Sequence, residues 1–313
     1  MARVPTMPLD PQVAEYLARV AADVPPLASP TPEARRTRME LVVRRFPAPE
    51  DAVARGDAWI ALPGREIAVR LYRPRSGKLP AILYLHGGGW VAGSLATHDG
   101  PCAALASDAD VLVASVHYRR APESPYPAPN DDAYAALAWL ASHADALDVD
   151  ADRIALGGDS AGAHLALSCA IEARERAGPR VAFQLLVYPV VEPHFDTRSY
   201  REHAVSPTLT RDDMMWYWSQ YLPTGSDDGS ARAVPTRDSL ADLPDTHIVV
   251  AGLDPLHDEG VALAARLDAA GTRAALVEAP GLVHGFLRAA PYSAAARAAQ
   301  SALGAATRAA LHG

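Results

Sequence analysis

Ser160, Asp254 and His284 are three side chains that could act together as a nucleophile, its orienting acid and its base. Ser160 stands in Gly157-Gly158-Asp159-Ser160-Ala161-Gly162, after the apolar run Arg153-Ile154-Ala155-Leu156 and before an Ala- and Leu-rich segment, Ala163 to Ala177. That context reads as strand, tight turn and helix. The flanking glycines let the chain turn sharply enough to hold the hydroxyl proud of a sheet, at the start of a helix. Backbone N–H groups there lack intrahelical partners and can receive a developing negative charge. A serine hydroxyl is a weak nucleophile, so it needs a base, and the base needs an acid to orient it. Ile248 to Asp254 reads as a strand ending on an acid, and Leu276 to His284 as a strand running into a Gly/Pro loop that ends on histidine. A lone aspartate after a strand would serve as a turn or cap residue. The order serine, acid, histidine, with acid and base each on a loop after a strand, is the one in which such a strand–turn–helix nucleophile takes its partners. Asp258 and Glu259 compete for the acid role but open the next helix, where they are expected as cap and first-turn charges.

The strand predicted over Ala81 to Leu85 leads directly into His86-Gly87-Gly88-Gly89-Trp90. Consecutive glycines give a loop whose N–H groups can point inward without side-chain obstruction, as an oxyanion hole requires. His86 is expected to fix that loop by hydrogen bonding rather than to act as a second base.

The elements that would carry these residues alternate. Ile67 to Tyr72 has the apolar–polar alternation of a half-exposed strand near a sheet edge. Residues 81–85, 111–116, 153–157, 183–188, 248–251 and 274–277 are short apolar runs that fit strands buried on both faces. Helical patterns lie between most of them, over 98–107, 132–147, 161–177, 258–270 and 293–311. Strands alternating with helices predict a mostly parallel central sheet flanked by helices. Residues 1–50 are Pro-rich, with helix-like pieces at 11–22 and 32–43, and read as an N-terminal helical arm. Residues 194–230 break the alternation, and Asp212 to Tyr221 concentrates two Met and four aromatic residues. That stretch is either plain core or a lid lining an apolar pocket.

The chain has 313 residues, is 49% hydrophobic and carries a net charge of −8 without a basic stripe, which argues against a nucleic-acid partner. No stretch of about 18 apolar residues occurs, so no transmembrane segment is expected. Met1 to Asp10 lacks the apolar run of a signal peptide, which makes a cytoplasmic location the expectation. Cys102 and Cys169 have no metal-ligand or redox spacing and are expected to be small buried hydrophobes.

His86-Gly87-Gly88-Gly89-Trp90, Tyr118-Arg119-Arg120-Ala121-Pro122-Glu123 and Gly158-Asp159-Ser160-Ala161-Gly162 occur in order. Tyr188-Pro189, Asp254-Pro255-Leu256-His257-Asp258-Glu259 and His284-Gly285-Phe286 follow them. On these motifs the chain resembles the hormone-sensitive-lipase-like branch of the α/β-hydrolases, the bacterial family IV carboxylesterases, from about residue 60 to the C-terminus. The resemblance implies an α/β-hydrolase fold with a helical cap: residues 1–50 as cap arm, 51–193 and 231–313 as catalytic core, and 194–230 as cap insertion. It implies Ser160 as nucleophile, Asp254 as acid, His284 as base, and oxyanion donors from Gly87, Gly88 and Ala161. Trp90, Asp159, Met215, Trp216 and Trp218 are the expected substrate-pocket residues. Two positions depart from the family pattern: His117 stands where relatives usually carry Asp, and Ala163 where many carry Gly. The first could alter a local salt bridge with Arg119 or Arg120; the Tyr118–Glu123 run is expected to be scaffolding. The expected activity is hydrolysis of small, apolar, short-to-medium acyl esters through an acyl-enzyme, with no metal or organic cofactor. Amide hydrolysis or deacetylation by the same three residues is an alternative. A non-catalytic small-ligand receptor is another, which the presence of His284 argues against. A homodimer stands open.

Overall fold

The computed structural model describes residues 8–27 and 29–313, so the expectation about the first residues falls largely outside the described chain. Among the described residues there are eight strands in one sheet. They are β1 (Ala54–Leu62), β2 (Arg65–Arg73), β3 (Leu79–Leu85), β4 (Leu112–His117), β5 (Val149–Asp159), β6 (Phe183–Val187), β7 (Thr246–Leu253) and β8 (Ala274–Val283). Their order across the sheet is β1-β2-β4-β3-β5-β6-β7-β8. The β1–β2 and β2–β4 pairs are antiparallel, and every pair from β4 to β8 is parallel.

Parallel strands need crossovers, and helices between the strands supply them, while others precede β1 and follow β8. The helices are α1 (Pro11–Asp23), α2 (Pro32–Arg45), α3 (Asp99–Ala109), α4 (Ala128–Ser142), α5 (Ala161–Glu175), α6 (Arg198–Glu202), α7 (Arg211–Tyr221), α8 (His257–Ala269) and α9 (Ala294–His312). The sheet separates two apolar layers, as the alternation of side chains along a strand dictates. On β3, Leu79, Ala81, Leu83 and Leu85 face the layer built with α4, α5 and α8. Ile82 and Tyr84 face the layer built with α1, α3 and α9. Cys102 and Cys169 are both buried free thiols.

Two edges depart from the expected pattern. β1 was not predicted, because only Ile60 along its length is buried and its sequence carries no apolar alternation. β8 is the opposite edge strand and is not covered on both faces: Leu276 and Val277 are 39% and 41% exposed.

Two segments close over the carboxyl ends of the strands. In α2, Thr31 caps the first turn by accepting from the Ala34 N–H at 3.3 Å, and Pro32 follows where no donor is needed. α7 begins with a reciprocal cap, in which Thr210 Oγ1 accepts from the Asp213 N–H and Asp213 Oδ2 accepts from the Thr210 N–H, both at 3.0 Å. The other oxygen of Asp213 pairs with Arg35 Nη2 at 2.7 Å. The same guanidinium donates to the Tyr217 hydroxyl at 3.2 Å and lies 4.5 Å from the Trp216 ring centroid. One arginine thus ties α2 to α7. No helix among the described residues is long and apolar enough to cross a membrane.

Candidate active site

β5 ends at Asp159 and α5 begins at Ala161, leaving Ser160 alone on the turn with φ 56° and ψ −121°. Such a conformation costs a non-glycine residue about 1–3 kcal/mol and persists only where the surroundings fix it. Here they do: the Ser160 N–H donates to the Val187 carbonyl at 2.9 Å, and its carbonyl accepts from the His164 N–H at 3.1 Å. The flanking glycines are steric necessities. A Cβ on Gly158 would stand 2.5 Å from the Leu85 carbonyl oxygen, and one on Gly162 would collide with that same oxygen. Helix α5 is buried through Ala173, including the polar stripe His164, Ser168 and Glu172, which finds partners on Ala233, Asn130 and Arg232. Ala163 lies fully buried within it.

Asp254 follows the end of β7, and His284 follows the end of β8. The structure brings both to Ser160. His284 Nε2 lies 2.9 Å from Ser160 Oγ, and His284 Nδ1 lies 2.7 Å from Asp254 Oδ2. The other Asp254 oxygen accepts from the Leu256 N–H at 2.9 Å, which fixes the carboxylate plane. Asp254 is fully buried, whereas Ser160 and His284 reach the wall of a small chamber of about 50 Å³. Hydroxyl, imidazole and carboxylate in this line can pass a proton away from Ser160 Oγ as it attacks.

The rival acids are elsewhere. Asp258 stands in the first turn of α8 as expected, but its carboxylate accepts from the Ser199 N–H of α6 at 2.9 Å rather than capping its own helix. Glu259 is not an exposed first-turn charge. It is 5% exposed and accepts from the Val191 and Glu192 N–H groups at 3.0 and 3.2 Å, and from the Tyr200 hydroxyl at 3.3 Å. Burial pushes its carboxyl up to about 8, with the Asp254 charge adding to the rise.

The expected oxyanion donors need one correction. The Gly87 N–H donates to Asp159 Oδ1 at 3.0 Å and is therefore spent inside the fold. Gly88 and Gly89 line the chamber with Ser160, and Ala161 opens α5 beside them. Gly89 therefore joins Gly88 at the chamber in the place expected for Gly87. Gly88 (φ 126°) and Gly89 (φ 61°) hold backbone conformations that favour glycine, and a Cβ on Gly89 would run into the Tyr217 ring.

Asp159 lines the chamber as expected, but its carboxylate is turned into a hydrogen-bonded knot. Besides Gly87 it accepts from the Tyr84 hydroxyl at 3.0 Å, and His98 Nε2 lies 3.2 Å away. Burial opposes its ionisation, yet His98, Arg288 and Tyr84 together hold it well below the usual carboxylate range. His86 is fully buried and stacks on Tyr118 at 4.3 Å, with Nδ1 3.0 Å from the Gly87 carbonyl. Burial first, then His98 and His117, keep its imidazole well below its ordinary value and hence neutral. The Tyr118 hydroxyl donates to the His86 carbonyl at 2.6 Å, and Arg120 donates to the Gly93 carbonyl at 2.7 Å. Arg119 pairs with Asp132 rather than with position 117. His117 therefore leaves that ion pair untouched.

The aromatic segment lies over the chamber in a different rotation from the one expected. Met214 and Tyr217 line the chamber. Met215 is 47% exposed, Trp216 packs on Arg35, and Trp218 is buried 4.8 Å from Trp90. Trp90 is itself fully buried and stacked on Tyr221 at 4.2 Å, behind the chamber rather than in its wall. Every residue from Met214 to Trp218 is apolar or aromatic, so the sequence carries no phase for this helix. The Thr210–Asp213 cap marks its start but not its rotation. Met39, Thr208 and Leu209 complete that side, and nothing in their local sequence marked them.

The family sequence model described as alpha/beta hydrolase fold matches residues 82–288. The chain is 41% identical over 262 residues to the carboxylic ester hydrolase LipN of Mycobacterium tuberculosis, which covers 81% of this chain and 70% of that protein. It is 37% identical over 299 residues to an ethyl acetate hydrolase of Pseudomonas putida, across 90% of this chain and 93% of that one. Among solved structures, the hyperthermophilic esterase from the archaeon Pyrobaculum calidifontis superposes with a TM-score of 0.89 at 38% identity, covering 97% of this chain and 99% of that one. The extent of the match and the sheet that underlies it agree: this chain belongs to the α/β-hydrolase fold family, and these relatives within it are ester hydrolases.

Proposed function

We propose that this protein is a serine carboxylesterase that hydrolyses short-to-medium acyl esters. The observation that carries the reading is the unbroken line Ser160 Oγ, His284 and Asp254, at 2.9 and 2.7 Å, opening on a chamber that Gly88 and Gly89 also line. Ser160 Oγ attacks the ester carbonyl carbon while His284 Nε2 accepts its proton, and the Asp254 carboxylate steadies the imidazolium at Nδ1. The oxyanion of the tetrahedral intermediate takes hydrogen bonds from the N–H groups of Gly88, Gly89 and Ala161, each worth about 3 kcal/mol of barrier. His284 then protonates the leaving alcohol, and a water activated by the same imidazole releases the acid from the acyl-enzyme.

Residues 1–50 and 194–230 act in this reading as the cap over residues 51–193 and 231–313. The reach of Met214 and Tyr217 into a chamber of about 50 Å³ limits the length of the acyl group and excludes long chains. Names of relatives such as ethyl acetate hydrolase support small esters as the substrate class. Ser160→Ala is expected to abolish hydrolysis of p-nitrophenyl butyrate with an unchanged circular dichroism spectrum. Residual turnover above about a thousandth of wild type would sink the reading.

A further inference from the structure

A second chamber of about 220 Å³ adjoins the first and shares Thr208, His284, Gly285 and Arg288 with it. Its far wall comes from α1 and α2. Val13, Leu17, Val20, Val42 and Phe286 give it an apolar side, and Arg38 and Arg288 are its charged lining residues. No Asp or Glu is among its lining residues. Neither guanidinium has a hydrogen bond or ion pair within the described residues, although both lie near enough to Tyr16 to offset part of the rise that burial causes in its hydroxyl. Their neighbours behave differently. Arg35 is taken up by Asp213 and Tyr217, and Arg36 by Glu123 and the Val91 and Ala121 carbonyls. Arg288 also acts at a distance on Asp159, but that carboxylate has Tyr84, His98 and Gly87 as its direct partners.

Two half-buried cations on the wall of a partly apolar chamber that no acid lines are a site for an anion, because reduced local polarity strengthens the attraction. Its position says which part of a substrate the anion belongs to. The chamber wall contains His284 but not Ser160, Gly88 or Gly89. The imidazole that takes the Ser160 proton returns it to the leaving oxygen, so the alcohol portion lies on the His284 side. Resting on the esterase reading, we propose that this enzyme prefers esters whose alcohol portion carries a carboxylate, held by Arg38 and Arg288 across a short methylene spacer. The reaction is ordinary hydrolysis: the acyl C–O bond is cleaved, water supplies the hydroxyl of the released acid, and a hydroxycarboxylate departs.

The test compares 4-acetoxybutanoate with its neutral analogue of like length, 4-methylpentyl acetate, and with monobutyl succinate, which carries the charge on the acyl side. Wild-type protein is expected to favour 4-acetoxybutanoate over the neutral ester by at least about tenfold in kcat/KM, with the ratio shrinking as salt rises. The double variant Arg38→Gln/Arg288→Gln should bring that ratio near one, Arg288→Lys should keep part of it, and Arg201→Gln, a distant exposed arginine, should keep all of it. A wild-type ratio at or below one, a ratio that survives in the double variant, or a preference confined to monobutyl succinate would each overturn the proposal. Turnover of the neutral ester in those cases would leave the esterase reading standing; no turnover of any ester by folded protein would overturn that reading itself.

Discussion

The floor of the site is held by backbone and the roof by side chains. Below, Ser160 sits where Gly158 and Gly162 press against the Leu85 carbonyl, so the turn has no room to be built another way. Above, Tyr217 and Met214 reach the chamber because Arg35 anchors one end of α7 and Trp218 and Tyr221 bury its other side against Trp90. A close backbone approach tolerates almost no substitution. A side-chain clamp tolerates many but fixes position less tightly. In the esterase proposed above, the floor would set the reaction and the roof the choice of substrate, and each half can be tested alone.

The largest effect belongs to the floor. Asp254→Asn keeps the shape of the orienting residue but removes the charge beside His284 Nδ1, and kcat for a simple ester should fall by about 10⁴ with KM little changed. Steady-state kinetics that showed less than a tenfold fall would remove Asp254 from the line. Next comes the roof. Met214 is 1% exposed, so Met214→Ala should cost about 2–5 kcal/mol in unfolding free energy and shift the preferred acyl length upward. Chemical denaturation and an acyl-length series measure the two parts.

A smaller effect comes from Glu259, which is buried at the start of α8 and accepts from the Val191 and Glu192 N–H groups. Its carboxyl is raised from 4.5 to about 8 by burial. The folded chain therefore keeps a proton that the unfolded chain releases above about pH 4.5. This contribution to stability is fully present below that pH and is lost as pH rises through about 8. Thermal melts should show wild-type stability declining across this window and a flatter profile for Glu259→Gln, whose amide can still accept from both N–H groups. The smallest effect is Met215→Ala, which should change stability by no more than about 0.5 kcal/mol, because Met215 faces solvent one position from the residue that faces the chamber.

The same contrast explains what could be read from the residues alone. The turn at Ser160 was legible because glycine at 158 and 162 is required by contact with backbone, and such requirements show directly in sequence. Asp254 and His284 were legible because each follows an apolar strand, in the order the chemistry needs. Three consecutive glycines, by contrast, carry no side chain to say which N–H faces inward, and the answer lies with Asp159, which captures Gly87. The rotation of α7 was hidden by the uniform apolar character of Met214 to Trp218. β1 was hidden because Ile60 alone along it is buried, and the burial of Glu259 by its position in a first helical turn, where acids usually face solvent. Arg38 and Arg288 lie far apart in the chain, and only the fold shows that they share one chamber.

The most direct measurement is covalent labelling of the active protein with a fluorophosphonate, located by peptide mass spectrometry. The line from Asp254 through His284 predicts a single label on Ser160, loss of esterase activity in step with labelling, and no label on Ser160→Ala. Full labelling of another residue with loss of activity, or full activity with Ser160 labelled, would contradict it.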